Sequence, residues 1–222
     1  MSCMNFKYIP YDINGPYYIG FAGTQSPMGD LYLPDYISGS PLRGLYEETF
    51  MEAIHLHQCR LPETLEFMGH HCFYDSGLVE VIIPPKLEII PEWCYGYCKN
   101  LQSMHISSSV HTIENYGLYG CTSLKNLTFK LGLKTIRPYA FAHLHEIENI
   151  ILPVSVEEID SMAFAFNYNL KVITLLHNIK YIGDNVFHLS EKVKAYVEVD
   201  TYAETYCKKN NINYKILTME DS

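Results

Sequence analysis

From Leu78 onward the apolar positions recur every 23 residues. Lines written from Leu78, Leu101, Leu124, Ile147 and Leu170 all carry an apolar residue three places on: Val81, Met104, Leu127, Ile150 and Ile173. Five places on stand Ile83, Ile106, Phe129, Leu152 and Leu175, and nine places on Leu87, Val110, Leu133, Val156 and Ile179. Ile90, Ile113, Ile136, Ile159 and Ile182 follow at twelve, then Tyr95, Leu118, Phe141, Phe164 and Phe187 at seventeen. A line one residue shorter precedes them: Leu56, Cys59, Leu61, Leu65, Met68 and Phe73. Upstream the pattern decays. Leu31-Tyr32-Leu33-Pro34 with Ile37, Leu45 and Phe50 fits one more turn holding about five extra residues, and Phe6–Phe21 reads as a degenerate turn or a cap.

Repetition at this period means a solenoid, in which each line is one coil that buries its apolar side only against its neighbours. The first segment alternates, so Val81 and Ile83 point inward from a short strand and successive coils stack these strands into a parallel sheet. The second segment, such as Val156–Ile159, brings the chain back, and Ala163-Phe164 plugs the outer turn. A 23-residue coil leaves no room for a full helix on the far side, so short strands and tight turns are expected there.

The stretch Ile150-Ile151-Leu152-Pro153-Val154-Ser155-Val156-Glu157-Glu158-Ile159-Asp160-Ser161-Met162-Ala163-Phe164 resembles the BspA-type (Treponema pallidum-type) leucine-rich repeat. The family's proline stands at Pro62, Pro84 and Pro153 and gives way to Ser107, Lys130 and Leu176, while its cysteine stands at Cys98 and Cys121. The resemblance covers residues 50 to 217. It implies a leucine-rich-repeat solenoid with an adhesive or protein-binding role and brings no catalytic residues with it.

The expected organisation is an N-terminal cap with degenerate repeats over 1–50, the solenoid over 51–192, a C-terminal cap over 193–217 and a polar tail over 218–222. Tyr8, Tyr11, Tyr17 and Tyr18 among Gly15, Pro16 and Gly20 suggest a loop-rich N-terminal cap. At the other end Thr201 and Glu204 are spaced as a capping box opening a short helix. Tyr202 and Tyr206 share a face of it, Lys208 and Lys209 suit its negative end, and Asn210-Asn211 stops it. Ile212, Tyr214 and Ile216 then alternate as a last strand, so that strand, helix and strand close the array against edge pairing.

Of 222 residues, 48% are hydrophobic and 18% charged, as in a folded domain, and 19 are tyrosine. The net charge of −9 argues against a nucleic-acid partner, for which a basic face would be expected. The longest apolar runs, Val79–Ile83 and Ile147–Val154, fall short of a membrane span. The opening residues do not read as a secretory signal, so the sequence as it stands points to the cytoplasm, or to the cell surface if a leader has been removed. An odd seven cysteines (Cys3, Cys59, Cys72, Cys94, Cys98, Cys121 and Cys207) fit free thiols better than a disulfide framework.

Candidate chemistry is sparse. Cys94 and Cys98 have metal-ligand spacing without a second pair, and Cys98 and Cys121 share a repeat column where a small buried residue is expected. His55 with His57, His70 with His71, and His143 with His145 lie in different repeat phases and gain no third ligand column. No nucleophile elbow, P-loop or dinucleotide fingerprint occurs, and Gly117 and Gly120 read as turn glycines. Glu157, Glu158 and Asp160 on the return segment are expected to be solvated charges. No cofactor is implied.

What remains is the outward side of the main sheet, the concave side of such solenoids. It carries two columns, Gln58, Glu80, Ser103, Asn126, Asn149 and Val172, and Arg60, Ile82, His105, Thr128, Ile151 and Thr174. Only Arg60 and Glu80 are formally charged, and Ile82 and Ile151 stand where water should be. Strand propensity alone favours such residues; the sharper reading is a neutral, partly apolar strip that binds a protein partner. A non-catalytic interaction scaffold is therefore the first expectation, a bacterial surface adhesin the second, and a metal-dependent or thiol enzyme a distant third.

Overall fold

The computed structural model describes residues 6–10, 17–21 and 27–218, with side chains from residue 27. The sequence coils as a solenoid of stacked 23-residue turns, each with three sides. On the first side, parallel strands Gly29–Tyr32, Leu56–Arg60, Glu80–Ile82, Ser103–Ile106 and Asn126–Phe129 form one sheet. Asn149–Ile150, Val172–Leu175, Lys194–Val197 and Tyr214–Ile216 form a second that continues the same side. The register follows the repeat, with Met104 opposite Leu127 and Ile150 opposite Ile173. At Ile151 the strand has already ended: the Leu152 amide donates to the Thr174 hydroxyl at 2.9 Å instead of to a ladder carbonyl.

The second side is the return ladder. It is a column of two-residue strands at Ile89–Ile90, Thr112–Ile113, Thr135–Ile136, Glu158–Ile159 and Tyr181–Ile182. Strands this short suffice because every coil repeats them in register. Glu157, Glu158 and Asp160, expected as solvated charges, stand exposed or half-exposed and also form ion pairs. Arg137 lies 3.2 Å from Asp160 and 4.0 Å from Glu158, and Glu157 pairs with Lys180. Coiling explains the pairs, since residues 23 apart in sequence become neighbours.

On the third side the chain turns sharply twice, and two residues per coil, four apart, take left-handed backbone conformations. Trp93 and Tyr97, Tyr139 and His143, and Met162 and Phe166 all have φ between +56° and +62°, a region that bulky residues enter only where the surroundings hold them. The hold comes from amides that donate alternately along the axis and within the coil. Tyr95 N–H reaches Gly117 O in the next coil, while Gly96 N–H reaches Trp93 O in its own.

The columns read from sequence form the core. Val81, Ile83, Met104, Ile106, Ile90 and Ile113 are all buried. The plug column stacks as rings, Phe50 on Phe73 on Tyr95, then, past Leu118, Phe141 on Phe164 on Phe187, with centroids 5.0–6.0 Å apart. A second column bonds the turns. The Cys98 thiol donates to Phe73 O at 3.0 Å, Cys121 to Tyr95 O at 3.1 Å, Asn167 to Phe141 O at 2.9 Å and Ser190 to Phe164 O at 2.8 Å. Six described cysteines are free, and five of them follow this apolar or plugging use in the interior; Cys3 lies outside the described residues.

The upstream turn is in register, with Leu31 opposite Cys59 and Leu45 opposite Met68. Its extra residues make a small antiparallel hairpin at Tyr36–Ile37 and Ser40-Pro41. The N-terminal cap contains strands as well as loops: Tyr17–Phe21 adds parallel to Ser40–Leu45, and Phe6–Pro10 adds antiparallel to Tyr17–Phe21. Tyr11, Gly15 and Pro16 lie outside the described residues. At the C-terminus Lys194–Val197, the helix Tyr202–Lys209 and Tyr214–Ile216 close the array. Thr201 Oγ1 accepts the Glu204 amide at 3.2 Å, but the Glu204 carboxylate accepts from Asp200 rather than from Thr201, at 2.8 Å. Tyr202 and Tyr206 divide: Tyr206 is buried with Ala203 and Cys207, whereas Tyr202 faces solvent, because the helix rolls Cys207 inward. No helix among the described residues is long and apolar enough to cross a membrane.

Candidate functional site: the outward face of the main sheet

Strand alternation turns Val81, Ile83, Met104 and Ile106 to the core and leaves Gln58, Arg60, Glu80, Ile82, His105, Asn126 and Thr128 exposed. Ser103, Val172 and Thr174 are half-buried, and Asn149 and Ile151 exposed. Ile82 is 65% accessible and Ile151 61%. Ile82 lies in a strand of the first sheet and Ile151 just past the end of a strand of the second, so the twelve residues do not form one uniform strip.

At the N-terminal half the face sinks into a groove of about 510 Å³. Gln58, Arg60, Glu80 and Ile82 line it; the other eight strip residues do not. Its walls include Tyr32, Glu63, Pro84, Pro85, Ser107 and Lys130, none of which the outward columns contain. Two signals for them were present in the sequence. Tyr32 continues the alternation of Leu31 and Leu33 into the degenerate upstream turn. Pro84, Ser107 and Lys130 are the column that marks the repeat family, and that column also forms the wall.

Polar side chains on this face are tied to one another. His105 Nδ1 is 2.7 Å from Thr128 Oγ1 and its Nε2 3.6 Å from Glu80 Oε1, so one residue from each of three coils joins a chain. Arg60 lies 3.7 Å from Asp35. Hydroxyl, imidazole and carboxylate in a row is an arrangement found in nucleophilic catalysis. Here all three stand half-exposed in water above a parallel sheet whose N–H groups are consumed by its ladders. Burial pushes the Cys59 thiol, at the groove floor, up to about 12, so it is a neutral thiol and a poor nucleophile. Among the described residues no three of His, Cys, Asp and Glu converge as a metal donor set.

A parallel solenoid closed by caps, with an exposed sheet face, is the architecture of leucine-rich-repeat proteins. The sequence matches the BspA type leucine rich repeat region in six copies over residues 35–117 and 89–215. The chain belongs to the BspA-type leucine-rich-repeat family.

Solved structures with the same fold include the Treponema pallidum leucine rich repeat protein, at 18% identity and TM-score 0.64, covering 98% of this chain and 97% of that one. A leucine-rich repeat protein from Bacteroides ovatus matches at 21% identity and TM-score 0.60 over 85% of this chain. The match spans only 54% of the Bacteroides ovatus protein's length. A leucine rich cell surface protein from Faecalibacterium prausnitzii matches at 12% identity and TM-score 0.54, covering 94% of this chain and 96% of that one. No curated protein matches the sequence.

Proposed function

We propose that the protein is a non-catalytic scaffold that seats a protein partner on the outward face of its main sheet, centred on the groove. The observation that carries this is Ile82. It is an apolar side chain 65% exposed on a face whose other residues are mainly polar, and it sits in a concavity with Tyr32 and Pro84. Apolar anchors that a partner can desolvate, ringed by polar groups, are where interfaces concentrate their energy. Capture from native extract tests it. Ile82→Asp, which points to solvent and leaves the fold intact, abolishes recovery of the partner; Ile151→Asp, just past a strand of the other sheet, weakens it less. Glu191→Lys, away from this face, leaves recovery unchanged. Normal capture by Ile82→Asp refutes the assignment of the groove.

A second reading sets the same scaffold on a cell surface as an adhesin, and the Faecalibacterium prausnitzii relative, described as a cell surface protein, favours it. Protease treatment of intact native cells distinguishes the two: a surface protein is shaved off, and a cytoplasmic one is protected.

A further inference from the structure

The third side of the solenoid bears a continuous band of half-exposed aromatic rings. Trp93, the single tryptophan of the chain, stacks on Tyr116 with centroids 4.3 Å apart and planes at 2°. Tyr139 follows at 4.9 Å and 7°. Tyr74 and Tyr119 pack edge-on against Trp93 at 5.8 and 5.3 Å, and Tyr97 lies near-parallel to Trp93 at 6.0 Å. Beyond Tyr119 the band continues through His143 to Phe166, at 4.9 and 4.4 Å. From Tyr74 to Phe166 the band crosses four coil steps, roughly 20 Å at the spacing of neighbouring strands, the reach of about six extended residues.

The backbone beneath it is shaped to hold the rings. A Cβ on Gly96 would sit 2.6 Å from the Trp93 ring, and one on Gly120, at φ +73°, 2.8 Å from the Tyr97 ring. Core packing does not require these aromatics, since the plug column inside already fills the coil.

The chemistry of the band is one-sided. The rings are all half-exposed, and the face of Tyr97 takes a cation. Besides Asp75, three exposed or half-exposed carboxylates border it: Glu48 one coil before His71, whose ring lies 5.5 Å from Tyr74, Glu52 beside Tyr74, and Glu92 beside Tyr116. None of the three is in an ion pair with another described residue, in contrast to Glu157, Glu158 and Asp160 on the return ladder. One ammonium already occupies the band. Lys99 Nζ lies 5.6 Å above the Tyr97 ring and 3.4 Å from Asp75 Oδ1, a cation held jointly by a ring and a carboxylate.

We propose that this aromatic side is a second binding surface, for an arginine-bearing basic segment of a partner protein. Lys99 shows the contact within the chain itself, and Glu48, Glu52 and Glu92 are the vacant carboxylates that would repeat it. A guanidinium, with five donors and no acceptor, complements a surface of carboxylates, phenol oxygens and rings, and it stacks on aromatics better than an ammonium does.

Trp93 makes the test direct, because its emission reports on this side alone. The probe is a synthetic arginine-glycine repeat peptide of about twelve residues, with a glutamine-glycine peptide as control. The arginine peptide produces a saturable change in Trp93 emission and the glutamine peptide none. Glu48→Gln with Glu52→Gln and Glu92→Gln weakens binding at least ten-fold. Glu88→Gln with Glu157→Gln and Glu158→Gln, which removes as much charge from the return ladder, changes it less than two-fold. Equal weakening by both sets means that only bulk charge attracts the peptide and overturns the proposal. A larger loss in the second set, or an unchanged Trp93 emission, overturns it as well, and none of these outcomes bears on the Ile82 groove.

Discussion

The side-chain amide of Asn167 donates to the carbonyl of Phe141 one coil earlier at 2.9 Å, and its Oδ1 accepts the Leu144 amide at 2.7 Å. Asn167 is fully buried, so one polar side chain satisfies two backbone groups that water does not reach. Asn167→Ala orphans both, at about 1–3 kcal/mol each. The expected loss is roughly 2–6 kcal/mol, read as a fall in the denaturation midpoint at unchanged m-value. An unmoved midpoint would show that these groups find other partners.

Phe164 lies between Phe141 and Phe187 with no accessible surface. Phe164→Ala opens a cavity in the middle of the ring stack and costs roughly 3–5 kcal/mol. Thermal unfolding measures it.

The pH dependence of the C-terminal cap has a definite sign. The Lys208 ammonium and the Asp200 amide hold the Glu204 carboxyl below its ordinary range. A depressed folded-state value stabilises above the ordinary carboxylate pKa, near 4.3, and that contribution is lost as pH falls through the lowered value. The melting temperatures of the wild type and Glu204→Gln therefore differ at pH 7, and the difference shrinks as pH falls below the ordinary carboxylate range. A difference that grows on acidification contradicts the pairing.

Removing everything after Val199 strips Tyr214–Ile216 from the edge of Lys194–Val197 and uncovers Ala195 and Val197, now buried. Exposed parallel edges pair with other chains, so light scattering should rise in the truncated protein at concentrations where the full chain stays clear. A truncated chain that remains monomeric shows the cap to be dispensable.

Unreduced protein in denaturant is expected to titrate seven thiols, six of them at the free cysteines of the described residues. In native protein at pH 8, Cys59 is expected to alkylate slowly despite lining the groove, because its thiol is raised to about 12. Fast labelling of Cys59 would mean that water enters the groove floor.

The sequence by itself determined the fold. A period of 23 over columns such as Ile90, Ile113, Ile136, Ile159 and Ile182 admits only stacked coils, because apolar residues so spaced find burial nowhere else. Strand alternation then followed, and with it the outward side chains of Glu80, Ile82 and His105. Only the tertiary structure decided which of these outward residues share a groove. The concavity lies where Tyr32, opposite Arg60 on the adjoining strand, and Pro84 flank Arg60 and Ile82, and neither Tyr32 nor Pro84 belongs to the outward columns. It alone also revealed the pairing of Glu157 with Lys180 and of Arg137 with Asp160, the Glu80–His105–Thr128 chain, and the aromatic side. Each joins residues about one coil apart whose meeting depends on side-chain direction at a turn. Trp93, Tyr97 and Tyr116 were plain in the sequence, but their left-handed backbone, which turns the rings outward onto one another, is imposed by the axial hydrogen bonds between coils.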